Sequence, residues 1–387
     1  MIYLDNAATT RIDPQVLEAM MPYLTGQYGN PGTLYKLGMQ ARKAVENARK
    51  QVADFIGAKP EQIIFTSGGT EANNLVFLGT ADYLKDIGKP GIIASRYEHD
   101  SVIRSAYRLN VRHGFGVTYF YPDHEGHVNP SEVESKGFGD TGLISVMYVN
   151  NETGSENDIQ EIANVCKKKG VLFHTDCVQA AGCYPIDVVE IGCDFLSISS
   201  HKIHGPKGVG ALYVKDPTIL SPLIVGGKSQ EFGLRGGTEN VAGIVGFGKA
   251  CELAKQNLHT TQNHCSILKQ LFYNHLIEDM ANIGLPPDIV HINGEQIIKH
   301  GKTLNLRFDG VDAETLLLML STKGVCVSAG SACTSHESQP SHVLTAMGLS
   351  PDEARSSVRI SFSKMNTQEE VRDAANIFAA CLKVLLV

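Results

Sequence analysis

The sequence predicts an α/β protein: a mainly parallel seven-stranded sheet, covered by helices, in a large domain, plus a smaller α+β domain. Three observations carry that prediction. Seven short apolar runs lie at 62–66, 92–95, 116–120, 143–149, 171–175, 194–198 and 209–214. Helical patterns separate several of them, as at 159–169, where apolar side chains stand at 159, 162, 163, 165 and 166. After about residue 255 the texture changes to a long helical stretch (257–280), then 302–308, a helix near 312–323, the segment 325–334 and a last helix over 367–386.

The remaining elements follow from local chemistry. Asp13-Pro14 opens a helix, with aspartate as N-cap and proline at the first helical position. The stretch 38–56 carries Val45, Ala48, Val52, Phe55 and Ile56 and stops at Gly57, where a helix end is expected. The expected division is residues 15–256 for the large domain, with 1–14 and 257–387 in the small one.

Composition narrows the functional classes. The chain has 387 residues, 43% hydrophobic and 19% charged, enough apolar mass for a large core and too little charge for disorder. A net charge of −7 argues against a nucleic-acid or anionic-membrane partner. No run approaches a membrane span, and MIYLDNAATT is neither a secretory signal nor an Arg-rich transit segment, so a cytoplasmic location is expected. Nine cysteines, odd in number, scattered and without a CxxC, favour neither a disulfide framework nor a zinc site. No metal is expected, and most of these thiols should be small buried hydrophobes.

In an open α/β sheet, ligands bind beyond the carboxyl ends of the strands, so the residues that follow each apolar run matter most. They are Ser67-Gly68-Gly69-Thr70-Glu71, Tyr97-Glu98-His99, Asn150-Asn151-Glu152-Thr153-Gly154, His174-Thr175-Asp176 with Gln179, and Ser199-Ser200-His201-Lys202. Any one alone is weak; five along one edge are not. The Gly-Gly-Thr turn entering a helix offers bare N–H groups and a hydroxyl to a phosphate, and Ser199 and His201 add donors from a neighbouring strand. The P-loop pattern GxxxxGK[ST] is absent. A lysine (Lys202) beside a phosphate cup, with Asp176 on the adjacent strand end, suits pyridoxal 5'-phosphate: the lysine makes the Schiff base and the aspartate keeps the pyridine nitrogen protonated. His99 could lie flat on the ring.

Cys333 stands apart from the other cysteines. Its surroundings, Ser328 to Pro340, are small and polar, so the stretch at about 328–341 should be an exposed, mobile loop. An exposed thiol on such a loop is a liability unless it reacts.

YLDNAATT, GGTEANN, YEH, NNETG, HTDCVQAAG, SSHKIHGPKG, the Arg235-Gly236-Gly237-Thr238 turn, SAGSACTS and SSVR together resemble the cysteine desulfurases. These are pyridoxal-phosphate enzymes of the aspartate-aminotransferase superfamily, fold type I, and the Cys loop is similar to the iron–sulfur-cluster and nitrogenase-type branch. The resemblance runs in order from Tyr3 to about Arg359. It implies Lys202 as the cofactor lysine and the base at the substrate's Cα, Asp176 on the pyridine nitrogen, Gln179 on the phenolic oxygen, and His99 as a catalytic residue that stacks on the ring face and assists proton transfer. Gly69, Thr70, Ser199 and His201 would cup the phosphate, with Thr238 reaching in from the other subunit of a homodimer. Asn151 and Arg359 would clamp the carboxylate of L-cysteine. Cys333 would take the sulfur as a persulfide for an acceptor protein, an iron–sulfur scaffold or a thiolation relay, and alanine would leave.

Three positions depart from the family pattern. Cys177 stands where alanine is usual, which implies altered packing. Gly236 replaces a serine, which implies a looser phosphate contact across the dimer. Ser363-Lys364-Met365 replaces Gly-Arg-Phe, which implies different C-terminal packing. Two other readings stay open on residues alone. An aminotransferase or lyase of the same fold would share Lys202 and Asp176 but have no use for Cys333. A non-catalytic scaffold would not need all three intact.

Overall fold

The computed structural model describes residues 1–136, 139–294, 301–330 and 340–386. Among these residues twelve strands occur, in chain order β1 (Ile2–Tyr3), β2 (Ile63–Thr66), β3 (Gly91–Ser95), β4 (Gly116–Phe120), β5 (Thr141–Ser145), β6 (Leu172–Asp176), β7 (Phe195–Ser199), β8 (Gly210–Val214), β9 (Val290–Ile292), β10 (Thr303–Phe308), β11 (Val325–Cys326) and β12 (Ser357–Ser361). The seven strands expected from the apolar runs form one sheet, in the order β2-β8-β7-β6-β5-β3-β4. Only β8 runs against its neighbours; β7, β6, β5, β3 and β4 are parallel. Two smaller sheets pair β1 with β11 in parallel, and β10 with β9 and β12 in antiparallel fashion.

The central strands are buried on both faces, as continuous apolar runs require. Successive side chains feed opposite cores. Ile63, Phe65, Ile93, Ile144 and Leu196 join one, while Ile64, Ile92, Leu143 and Phe195 join the other. Buried polar groups in such strands must find one another, and a rung does so across three of them. Ser145 Oγ lies 2.8 Å from His174 Nδ1, and His174 Nε2 lies 3.1 Å from Ser197 Oγ. Burial pushes His174 down to about 3, so the ring is neutral and donates through one nitrogen while accepting at the other.

The helices form where caps and periodicity place them. Asp13 Oδ1 accepts the Gln15 N–H at 3.0 Å and starts Pro14–Leu24, and Lys36–Ile56 stops at Gly57, whose φ of 71° is left-handed. The helix at Ile159–Lys169 has the bounds read from the sequence. The apolar run 143–149 is a strand only to Ser145. Val146 and Tyr148 still donate to the His174 and Asp176 carbonyls, but the chain is already leaving the sheet for the Asn150–Gly154 turn. The change of texture near 255 is a junction of two helices, Val241–Gln256 and Leu258–Asn282.

A third core gathers Phe272, Phe308, Phe362 and Phe378 with Leu4. Beyond β1, the N-terminal segment crosses to the large sheet. The Ala7 N–H donates to Ser361 Oγ (2.8 Å) and the Thr10 N–H to the His201 carbonyl (2.9 Å), which joins the end of β12 to the turn after β7.

Glu98 sets the turn that follows β3. Its Oε1 accepts from Ser95 Oγ and from the Met147 N–H, both at 2.6 Å, while Oε2 has no partner. Burial pushes its pKa up to about 8, against the Ser95 hydrogen bond and helped by the Asp176 charge. The native state thus keeps a proton that an unfolded glutamate loses near about 4.3. Stability from the neutral form is complete below that value and drains away as pH rises to about 8. Glu98→Gln keeps the accepting oxygen and cannot ionise. Its stability relative to wild type should therefore grow through this window, by up to roughly 1.4 kcal/mol per pH unit. Urea unfolding from pH 5 to 9 tests this, and a difference that stays flat with pH would contradict it.

Candidate active site

The carboxyl edge of the large sheet delivers five polar turns to one place. After β2, the helix Gly69–Gly79 begins at the Gly-Gly-Thr turn, so its first N–H groups lack intrahelical acceptors. Gly69 packs closely against the end of β6, since a Cβ there would come within 2.8 Å of Val178 Cγ2 and force that side chain to shift. Glu71, one turn in, binds the Ser67 N–H and Arg235 and fixes the turn from outside.

At the end of β6, Asp176 is 4% exposed and accepts from the Val178 N–H (2.9 Å) and from Asn73 Nδ2 (2.8 Å). After β7, the Ser200–Lys202 turn carries His201 and Lys202. Lys202 Nζ donates to the Ala7 and Ala8 carbonyls, so the N-terminal segment holds this ammonium. Gln179 Nε2 donates to the same Ala7 carbonyl. Burial, then the charges of Lys202, Lys207 and Lys302, push His201 down to about 3, and it is neutral at physiological pH.

His99 caps the helix Asp100–His113, with its Nδ1 accepting the Ser101 N–H. An accepting Nδ1 is unprotonated, and burial together with Lys202 lowers the pKa, against the pull of Asp176. Arg359 comes from β12, where it donates through Nη1 to the Asn151 carbonyl (2.9 Å) and through Nη2 to Asp5 Oδ1 (2.9 Å).

Gly69, Thr70, His99, Asn151, Asp176, Gln179, Ser199, His201, Lys202 and Arg359 line one cavity of about 210 Å³, together with Ala7, Ala8 and Asn73. Thr238 does not; it lines a separate cleft with Arg235 and Glu231. Cys333 lies outside the described residues, but described residues before and after it are anchored. Ser328 pairs with the Arg359 backbone, and Ser341 Oγ donates to Glu152 Oε2 at 2.5 Å. The eight described cysteines are all free, and all but Cys326 are buried.

Sequence reasoning missed Ala7 and Ala8, which act through backbone carbonyls and carry no residue-type signal. It also passed over Asn73, within the GGTEANN stretch, whose buried amide spans Asp176 and Ser101. The departures from the family pattern have local accounts. Cys177 is fully buried, and burial pushes its thiol far up. Gly236 lies against Gly226, so that a Cβ would sit 2.5 Å from the Gly226 Cα. Lys364 pairs with Asp13 at 2.6 Å, tying the C-terminal segment to the cap of the first helix.

A family model, aminotransferase class-V, matches residues 2–373. A putative cysteine desulfurase, IscS 1 of Bacillus subtilis, is 44% identical over 99% of this chain and 99% of its own. The cysteine desulfurase IscS of Methanosarcina thermophila is 43% identical over 96% of this chain and 89% of its own. The solved structure of a NifS-like protein superposes with a TM-score of 0.89 at 35% identity, covering 99% of each chain. A lysine, an aspartate on the neighbouring strand end and a helix N-terminus, gathered on one cavity of this fold, agree with those likenesses. This chain belongs to the class-V aminotransferases, among their IscS- and NifS-like cysteine desulfurases.

Proposed function

We propose that this cysteine desulfurase binds pyridoxal 5'-phosphate in the cavity at the sheet edge and converts L-cysteine to L-alanine. Cys333 would capture the sulfur as a persulfide and pass it to an acceptor protein, an iron–sulfur scaffold or a thiolation relay. The observation that carries this reading is a set of buried polar atoms without partners in residues lining the cavity: Ser199 Oγ, Gln179 Oε1, Asn151 Oδ1, Asn73 Oδ1 and Arg359 Nε. Native interiors rarely leave such groups unpaired unless a ligand meets them.

The donor set fits the cofactor. Gly69, Thr70, Ser199 and His201, with the first N–H groups of Gly69–Gly79, would hold the phosphate. Asp176 would hold the pyridine nitrogen, and Gln179 the phenolic oxygen. Bound there, the cofactor supplies an electron sink conjugated to the substrate's Cα. Asp176 keeps the ring nitrogen protonated because a carboxylate favours a neighbouring cation. His99, neutral and locked by Ser101, presents a flat face without adding charge. Arg359 and Asn151 bind the substrate carboxylate. Lys202 moves the proton at Cα. Cys333 attacks the substrate's sulfur as a thiolate, so that an S–S bond forms as the S–C bond breaks. The electron pair of the broken bond stays on carbon, which is protonated and leaves as alanine.

In a homodimer, Thr238 of one chain would reach the phosphate held by the other. Exposed apolar side chains support such an interface: Leu24, Tyr28, Leu34 and Tyr35, with Val225 and Phe232 nearby in the segment before Thr238. The division into residues 15–256, and 1–14 with 257–387, is supported by Leu4 packing with the 265–382 core, although Val343, Leu344 and Met347 pack with the large sheet. No helix among the described residues is long and apolar enough to cross a membrane, and the net charge of −7 supports an enzyme without direct nucleic-acid contact.

Lys202→Ala should lose the visible absorption of the loaded protein and all alanine formation; turnover that survives would remove the lysine from its assigned role. Cys333→Ser should still bind cofactor and L-cysteine but accumulate no sulfur from labelled cysteine. Protein-bound label in that variant would assign the carrier to another thiol.

A further inference from the structure

Arg359 is 2% exposed, and a guanidinium buried to that degree needs its charge and its N–H groups met. Its three nitrogens are treated differently. Nη1 meets a backbone carbonyl, that of Asn151, Nη2 meets the Asp5 carboxylate, and Nε meets nothing. Nη2 carries two N–H groups, of which one bond to Asp5 leaves one over, and one of the two stands parallel to the unpaired Nε–H. That pair has the spacing of a carboxylate's two oxygens.

Asp5 does not line the cavity, whereas Arg359 and Asn151 do, so its carboxylate meets the fork from outside the wall. Its backbone is held from two sides. Tyr3 Oη donates to the Asp5 carbonyl at 3.0 Å, and the residue bridges Ser361 in parallel, two places along β12 from Arg359. Ser361 also takes the neighbouring Asn6 and Ala7 N–H groups, at its carbonyl and its hydroxyl. The carboxylate and the fork it grips are therefore fixed on the same strand.

We propose that Asp5 is a positioning residue for the substrate's α-carboxylate: by gripping Nη2 and balancing the buried charge, it fixes the rotation of the Arg359 fork so that Nε and the second Nη2 N–H face the cavity. This rests on the substrate clamp proposed above. It makes Asp5 a determinant of selectivity for a carboxylate-bearing thiol over the same aminothiol without one.

Titrating the loaded holoenzyme with L-cysteine and with cysteamine, which lacks the carboxylate, tests the assignment through dissociation constants rather than turnover. Asp5→Ala should weaken L-cysteine by about tenfold or more and leave cysteamine within about threefold, with KM rather than kcat carrying the loss in turnover. Asp5→Asn keeps an accepting oxygen without the charge and should recover part of that loss, and cofactor content with thermal melting confirms that both variants are folded. Equal weakening of both ligands, or of neither, overturns the positioning role. Arg359→Ala separates the two layers. If it weakens L-cysteine and Asp5→Ala does not, the clamp stands and only Asp5 is misassigned. If Arg359→Ala changes nothing, the clamp itself fails, and the role of Asp5 with it.

Discussion

The rung Ser145–His174–Ser197 fixes the register of three parallel strands, and the active site is built on that register. The strands on either side of His174 are buried on both faces, so a slip of one residue would exchange one apolar set for another. A neutral imidazole with one donor and one acceptor nitrogen can satisfy both serine hydroxyls in one alignment only. Two residues further along β6 lies Asp176, paired with Ser197, and two residues beyond Ser197 lies Ser199. A slip of one residue would turn Asp176 to the other face and break the rung at once. The buried polar group thus contributes alignment more than net stability, since its desolvation offsets much of its hydrogen bonding.

What the sequence made legible follows from where side chains state their environment. Apolar runs of four to seven residues mark strands, and polar clusters after them mark the functional edge, because parallel strands all deliver their carboxyl ends to one side. Lys202, Asp176 and the Gly-Gly-Thr turn were readable for that reason. The bounds of β5 were not, because Val146 and Val149 are buried for packing beneath the site rather than for pairing in the strand. Nor was the wall made by Ala7 and Ala8, since a carbonyl is offered by every residue and only the fold selects which one faces Lys202. Glu98 and Glu152 read as polar turn residues, yet both are almost wholly buried, and burial raises the pKa of each. Turn chemistry resembles site chemistry in sequence, and only burial distinguishes them.

The site gathers Ser199 Oγ, Gln179 Oε1, Asn151 Oδ1, Asn73 Oδ1 and Arg359 Nε, half of the buried polar atoms left unpaired among the described residues. Arg49, buried as deeply as Arg359, has its fork filled by both oxygens of Glu231 and by the Ile63 carbonyl, with Phe65 and Phe232 against its faces. Arg359 is held on two nitrogens and open on the third. The contrast separates a guanidinium whose fork is closed from one whose Nε has no partner.

The N-terminal segment has a consequence for how the molecule is made. Asp5 and Arg359 are 354 positions apart, and Ala7 and Lys202 are 195 apart, so the cavity closes only through contacts of very long sequence separation. The large sheet and its helices can assemble from residues that leave the ribosome early, with Lys202 and Asp176 already at their strand ends. Arg359 follows Lys202 only after a further wait of roughly 8–30 s at ordinary rates of synthesis. Throughout that wait the Gly-Gly-Thr turn and the lysine would stand open to solvent with one wall missing. Enclosure of the cavity therefore waits for β12, and residues 5–7 find their partners there only when Arg359 and Ser361 have been made.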